Sequence, residues 1–417
     1  MSKQKILIFS DCYIYGGSEK LMAFLLKNEI VNKNFILLYS YRKHKDYERG
    51  LRNEGLLNRT NNYPLILMSN SSLFYKINCL TISKSLKIIL KLPFFLMDKI
   101  KFYSLWNLLR LIFLLFKTKP NIIHINNGGY PGAKTCNILV VANFLTIRSK
   151  VIYQVNNQAL DCKGYIEALY DKFINNNVNC FINASKRAKQ QLVEKRNFES
   201  GKIFLVDNCV PLPEVKMSKN QIFKDLNIPL DSFLIIEVAF LSERKGQRYL
   251  IEALYELYKR QLLSKEKVYC AFVGNGEDEE FLKNYINELG LNSNIFLLGY
   301  RSNSEDFIYA SDLFVLPSIR DEDMPLVLLS ALGYGKPIIA TDFAGISQVI
   351  KSNFNGILIK NDLETFTYNL SNEIYRLYNN QTLRSDFGTS AKQTYVNYSP
   401  ETYGSKLKAI YEKIYFG

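Results

Sequence analysis

Residues 311–345, SDLFVLPSIRDEDMPLVLLSALGYGKPIIATDFAG, constrain the fold more than any other stretch. DLFVLP reads as a short apolar strand, and a polar turn from Ser318 through Asp321 to Asp323 follows it. Pro325 suits the first position of a helix, where its missing N–H is not needed. The helix runs LVLLSALGY and stops at Gly335-Lys336-Pro337, before a second strand, PIIAT. In a parallel sheet, such a strand, loop and helix aim free backbone N–H groups, at the positive end of a helix, outside the carboxyl edge of the strands. That is an anion site by construction.

The same scheme recurs along the chain. KILIF (5–9) is a strand, and Gly16-Gly17 opens a helix, SEKLMAFLLKN, which makes a loop suited to close approach by a phosphate or sugar. FILLYS, PLILM, NIIHI, KVIYQV, CFINAS and KIFLV follow as short apolar runs separated by helical stretches. NCVPLPEV (208–215) holds two prolines and interrupts the pattern. Beyond it, FLIIEVAFL, KVYCAFVG, NIFLLGY, DLFVLP and PIIAT complete a second sheet, with Gly274-Asn275-Gly276 opening the helix EDEEFLKNYINEL. The expectation is α/β: two doubly wound Rossmann-like domains facing each other across a cleft. The first spans 1–207, a linker 208–215 and the second 216–396. An amphipathic helix at 397–417 is expected to pack back toward the first domain.

Composition narrows the chemistry. Seven scattered cysteines without a CxxC pair point to a reducing, cytoplasmic setting and away from disulfides or a zinc site. With His44 and His124 the only histidines, histidine-based metal chemistry is excluded as well. MSKQKILIFS is too short and strand-like for a signal peptide. Charge is unevenly placed: residues 1–210 carry 31 Lys+Arg against 13 Asp+Glu, and residues 211–417 carry 22 against 26. Asp98 is the only acid between Glu54 and Asp161. Across 83–117, lysines interleave with Leu, Ile, Phe, Tyr and Trp106, and the charges leave no run of the roughly 20 apolar residues a membrane span requires. We read 83–102 as lying on an anionic membrane surface, the inner face of a membrane, and 103–117 as an ordinary helix covering the sheet. Nucleic acid is disfavoured, because the basic residues alternate with aliphatics.

The stretch Glu322…Pro325-Leu326-Val327-Leu328-Leu329…Ala331…Gly335-Lys336-Pro337…Ala340-Thr341 resembles the donor-site signature of family-four retaining glycosyltransferases, a glutamate followed after seven residues by a second. Glu322 fills the first place and Ser330 the second. The resemblance continues through Gly16-Gly17, the loop facing the donor diphosphate; Lys245-Gly246; Gly274-Asn275-Gly276 at the donor pocket; Gly299-Tyr300-Arg301 beside the nucleobase; and Asn208, ending the first domain. It implies a GT-B architecture, with acceptor bound by the first domain and nucleotide-sugar by the second. It also implies retention of anomeric configuration, the donor phosphate taking the acceptor proton.

The physical roles stand beside that resemblance. The leaving diphosphate must be neutralised as the glycosidic bond breaks, and preorganised donors do this best. Lys245 supplies a charge, and the amides near Met324, Pro325, Leu326 and Val327 a helix N-terminus, so neither metal nor other cofactor is expected. Glu322 is positioned to accept hydrogen bonds from hydroxyls of the transferred sugar; the plain alternative is a solvated loop carboxylate at a helix start. Three departures stand out. Ala239-Phe240 replaces the family's glycine-arginine pair, with Arg244 able to reach in from the loop. Ser330 replaces a glutamate that binds ribose hydroxyls, and a hydroxyl binds less strongly than a carboxylate. Asn156 replaces a first-domain histidine. His124, Asn126, Asn127 and Asn156 are read as acceptor-binding, with a core histidine as the alternative for His124. Two function classes follow: a glycosyltransferase adding a sugar to a glycan or lipid-linked acceptor in bacterial surface-polysaccharide assembly, or a non-catalytic subunit of the same fold that docks to a membrane or stabilises a partner.

Overall fold

The structure, a computed structural model, describes residues 3–70, 74, 77–320 and 322–417. It resolves into two units: one of residues 1–183, 188–206 and 404–417, the other of 184–187 and 207–403. Most of the terminal helix, Pro400–Phe416, therefore counts with the first unit.

Among the described residues, the first unit holds a seven-stranded sheet: β1 (Gln4–Ser10), β2 (Phe35–Arg42), β3 (Asn62–Leu65), β4 (Ile122–Asn127), β5 (Lys150–Val155), β6 (Cys180–Asn183) and β7 (Ile203–Leu205), in the order β3-β2-β1-β4-β5-β6-β7. All pairings are parallel. Helices cover both faces of such a sheet, which is why runs such as KILIF and NIIHI are apolar without alternation. Leu7, Phe9, Ile123, Ile125, Val151 and Tyr153 pack into one core with Leu111, Leu114 and Leu115 of the helix Phe102–Thr118. The expected strand PLILM is instead Asn62–Leu65, at the sheet edge. Pro64 has no N–H to donate, and only an edge strand accommodates that.

The second unit holds six parallel strands: β8 (Phe233–Val238), β9 (Val268–Val273), β10 (Ile295–Leu297), β11 (Leu313–Leu316), β12 (Ile338–Asp342) and β13 (Ile357–Lys360), in the order β10-β9-β8-β11-β12-β13. β13 corrects the sequence reading, which closed the sheet at PIIAT. ILIK is only four residues long and follows the turn at Asn353–Asn355, so periodicity alone marked it weakly. In both sheets the chain leaves the first strand in one direction and returns on its other side. The switch points lie between β1 and β4 and between β8 and β11, where such sheets bind ligands.

The stretch 83–117 divides as the sequence suggested. The helix Phe102–Thr118 buries Tyr103, Asn107, Leu111, Leu114, Leu115 and Thr118, whereas Lys84–Lys99 buries no residue. Ile88, Ile89, Leu92, Phe95 and Leu96 are all exposed there. Among the described residues, no helix is long and apolar enough to cross a membrane.

Candidate active site

At the β8/β11 switch point, two loops bring a carboxylate and two cations together. The loop after β8 ends in a short 3-10 turn, Glu243–Lys245, followed by Gly246 at φ +79°, which starts the helix Gln247–Lys259. The loop after β11 carries Ser318, Glu322 and Asp323 into the helix Leu326–Gly333. The amide of Ile319 donates to the carbonyl of Arg244 (2.8 Å), holding one loop on the other. Lys245 pairs directly with Glu322, Arg244 stands 3.7 Å from the same oxygen, and the Ser318 hydroxyl donates to it at 3.1 Å. Glu322 is 6% exposed and Lys245 9%, so the pair is held in low dielectric, where its attraction is strongest and its desolvation cost highest. Asp321, in the same turn, lies outside the described residues.

Glycines make these loops possible. A Cβ on Gly246 would meet the carbonyl oxygen of Pro317 at 2.0 Å, on Gly274 that of Ala239 at 1.8 Å, on Gly276 that of Leu241 at 2.0 Å and on Gly345 that of Asp323 at 2.3 Å. Each is a backbone-on-backbone contact that no side chain permits. The loops after β8, β9, β11 and β12 are thereby welded into one rim. The amide of Leu241 donates to Asn275 O (3.0 Å), and that of Gly274 to Gly299 O (2.9 Å), which sets exposed Tyr300 and Arg301 beside the same rim. Met324 is buried, and its carbonyl accepts from the Asn208 side chain at 2.8 Å; Leu326 and Val327 are half-buried, and Ser330 is buried at 2%. Pro325 sits one position outside the helix, at the N-cap with ψ 130°, rather than at its first residue as expected.

Two further carboxyls in this region escaped the sequence reading. Glu237, at the end of β8, is 1% exposed and accepts from the Gln247 amide at 3.0 Å. Burial holds it well above the usual carboxyl range and the Glu322 charge adds to this, while Lys245 works against it. A lone acid inside FLIIEV was the signal. Burial likewise raises Asp323 to about 7; the Ser185 side chain lowers it and the Glu322 charge raises it.

The first unit carries the other candidates. Gly16 caps the helix Gly17–Lys27, but the N–H of Gly16 is already taken by the Glu19 carboxylate (3.2 Å), which also accepts from Ser18 Oγ (2.7 Å) and Ser10 Oγ (3.4 Å). A glutamate three residues into a glycine-opened helix is a capping pattern that sequence could have revealed. The four acceptor candidates form one network. Asn156 Nδ2 donates to Asn126 Oδ1 (2.6 Å) and to the Asn127 carbonyl (2.9 Å), and Asn127 Nδ2 donates to Pro131 O (3.0 Å) and Tyr153 Oη (2.8 Å). His124 has no exposure, and both ring nitrogens have partners, Tyr411 and Gln154. Burial pushes its pKa down to about 4. His124 therefore sits as the core histidine that the sequence offered as its alternative. Asn126 and Asn127 are likewise buried and hydrogen-bonded within the unit, while Asn156 keeps some surface.

Comparison with known proteins follows the same division. Residues 218–394 match the family model described as Glycosyl transferases group 1. The UDP-Gal:alpha-D-GlcNAc-diphosphoundecaprenol alpha-1,3-galactosyltransferase of Escherichia coli is 32% identical over 183 residues, 43% of this chain and 46% of that protein. The chain spans about half the length of the curated relatives it matches. Among solved structures, Anabaena Alr3699/HepE in complex with UDP shares the fold at TM-score 0.74 and 16% identity, over 98% of this chain and 100% of that one. The apo lipopolysaccharide outer core galactosyltransferase WaaB does so at 0.66 and 16%, over 98% and 99%. At that identity the likeness speaks for the fold alone. Residues 218–394, within the second unit, thus match the glycosyl transferases group 1 family, and the chain along its length shares the GT-B fold.

Proposed function

We propose that this chain is a retaining glycosyltransferase moving a sugar from a nucleotide-sugar, with UDP as its nucleotide, to a glycan or lipid-linked acceptor in the assembly of a bacterial surface polysaccharide. The observation that carries the reading is the convergence of Lys245 and Arg244 on Glu322, on the loop leading into the helix Leu326–Gly333. In this reading the two cations and the helix amides balance the diphosphate as it leaves, without a metal ion, while Glu322 turns to the hydroxyls of the sugar. The donor phosphate takes the acceptor proton, so no protein nucleophile is needed. UDP is suggested by the Anabaena complex, the lipid-linked acceptor by the name of the Escherichia coli relative, and the polysaccharide setting by that name and WaaB's. The exposed apolar and lysine-bearing helix Lys84–Lys99 supports docking at an anionic membrane surface, on the cytoplasmic side where the acceptor would be presented.

The test is thermal stabilisation by a panel of nucleotide-sugars and free nucleotides, since a ligand that binds the native state raises apparent stability with concentration. One UDP-sugar is expected to stabilise the parent protein and not Lys245→Ala. No shift with any ligand at millimolar concentration overturns the donor-site reading and favours the non-catalytic subunit. Binding of the full chain to anionic vesicles in low salt, and release in high salt, checks the membrane part; salt-independent or absent binding counts against it.

A further inference from the structure

In the first unit, a single chain of hydrogen bonds runs from the terminal helix, through the ends of β4, β5 and β1, to the Gly16-Gly17 loop. Its links are Tyr411 Oη to His124 Nδ1 (2.6 Å), His124 Nε2 to Gln154 Oε1 (3.0 Å), Gln154 Nε2 to Asn156 Oδ1 (2.8 Å), Asn156 Nδ2 to Asn126 Oδ1 (2.6 Å), Asn126 Nδ2 to Ser10 Oγ (3.1 Å) and Ser10 Oγ to Glu19 Oε1 (3.4 Å). The other oxygen of Glu19 holds the Gly16 N–H at 3.2 Å and the Ser18 hydroxyl.

The direction of every bond is dictated by its neighbours. Gln154 gives its amide protons to Asn156, so its oxygen faces His124 and takes the Nε2 proton. The buried imidazole is neutral, so Nδ1 is left as an acceptor and the Tyr411 hydroxyl must donate to it. Asn156 and Asn126 each accept on the side facing Tyr411 and donate on the side facing Glu19. All the donors thus point the same way and end on a carboxyl. Reversing one amide would set donor against donor and acceptor against acceptor at its two ends. Bonds aligned in this way polarise one another and resist individual rupture.

We infer that Tyr411 is a positioning residue for the Gly16-Gly17 loop, acting through this one-way chain on the carboxyl that holds the loop's first N–H. Tyr411 is fully buried; its hydroxyl fixes the imidazole tautomer, the tautomer fixes the orientation of Gln154, and the orientation is passed on to Glu19. The consequence for catalysis rests on the glycosyltransferase reading, in which this loop faces the donor diphosphate. The structural coupling does not.

The test uses the full chain and needs no substrate. Tyr411→Phe removes only the hydroxyl and keeps the ring packed edge-on against Phe35 and His124; Asn156→Ala cuts the chain midway. Hydrogen exchange of peptides covering 10–20 is expected to quicken about fivefold in both variants, the effect of losing one hydrogen bond, with exchange in the second unit unchanged. Because the protein has only two histidines, nitrogen-15 spectra of the imidazoles report His124 cleanly. The parent should show the Nε2–H tautomer, and Tyr411→Phe should shift the Nδ1 resonance. Unchanged exchange at 10–20 in both variants, or an Nδ1–H tautomer in the parent, overturns the inference. Should Asn156→Ala fail to fold, Tyr411→Phe and the spectra decide alone. Absence of any nucleotide-sugar response in the parent would sink the donor reading and leave the exchange result standing.

Discussion

Each unit places a glutamate near the start of a helix at the switch point of its sheet, and the two are used in opposite ways. Glu19 is satisfied locally, by Gly16 N–H and two hydroxyls, so the first helix N-terminus is filled from within. Glu322 is drawn instead to Lys245 and Arg244. The glycines divide in the same way. Gly246, Gly274 and Gly276 are demanded by backbone contacts inside the second unit, whereas a Cβ on Gly17 would meet nothing within 4 Å and one on Gly16 only Glu19 Oε2 at 3.4 Å. The first helix start is held by a carboxylate of its own helix, and at the second the carboxylate is held by cations from a neighbouring loop.

The largest effect expected from breaking that contrast is at Lys245. Lys245→Ala removes one partner of a buried pair, costing about 3–5 kcal/mol of stability in the second unit. Transfer should fall about 100- to 1,000-fold, as for loss of a preorganised charge donor. Urea unfolding and a transfer assay with the stabilising nucleotide-sugar measure both; a variant with parental turnover would remove Lys245 from the chemistry. Glu322→Gln, which keeps the shape, should lose activity comparably with less loss of stability.

Next comes pH. Asp323 is held near 7 in the fold against an ordinary 3.8, so the folded chain keeps a proton that the unfolded chain gives up. Its contribution is fully present below about pH 4 and is lost as pH rises through about 7. Asp323→Asn should flatten stability against pH across that window by at most about 4 kcal/mol. His124 has the opposite sign, losing stability as pH falls from 6.5 toward 4, so the difference between variant and parent is the quantity to read. Equal slopes would mean that Asp323 is ionised throughout.

Gly276→Ala should cost about 3 kcal/mol, because its Cβ has no room beside the Leu241 carbonyl. Glu19→Ala, which uncaps the first unit's helix, should cost about 1–2 kcal/mol by urea unfolding. Gly17→Ala is the smallest and sharpest case: stability unchanged or raised by up to about 1 kcal/mol, with weaker nucleotide-sugar binding if a diphosphate approaches that backbone. Undiminished binding would mean that the loop faces no ligand.

Much of this was legible in the residues. The alternation of apolar runs and helical stretches was enough for two parallel sheets, and DLFVLP…PLVLLSALGYGKP marked the strand, loop and helix at which Lys245, Arg244 and Glu322 meet. β13 was missed because four residues carry little periodicity, and β3 was shifted because Pro64 is tolerated only at an edge that topology alone reveals. His124 could be read two ways until its burial was known.

By itself, then, the sequence determined the class of fold and the loops that meet at the switch points, because strand and helix periodicity and the spacing of glycines, prolines and charges are local properties. Only the tertiary structure decided which polar groups are consumed internally. Lys245 and Glu322 are 77 positions apart, and Tyr411 and His124 are 287 apart. Whether such groups face a ligand or each other depends on burial and on partners brought in by the sheet order, which no local pattern encodes.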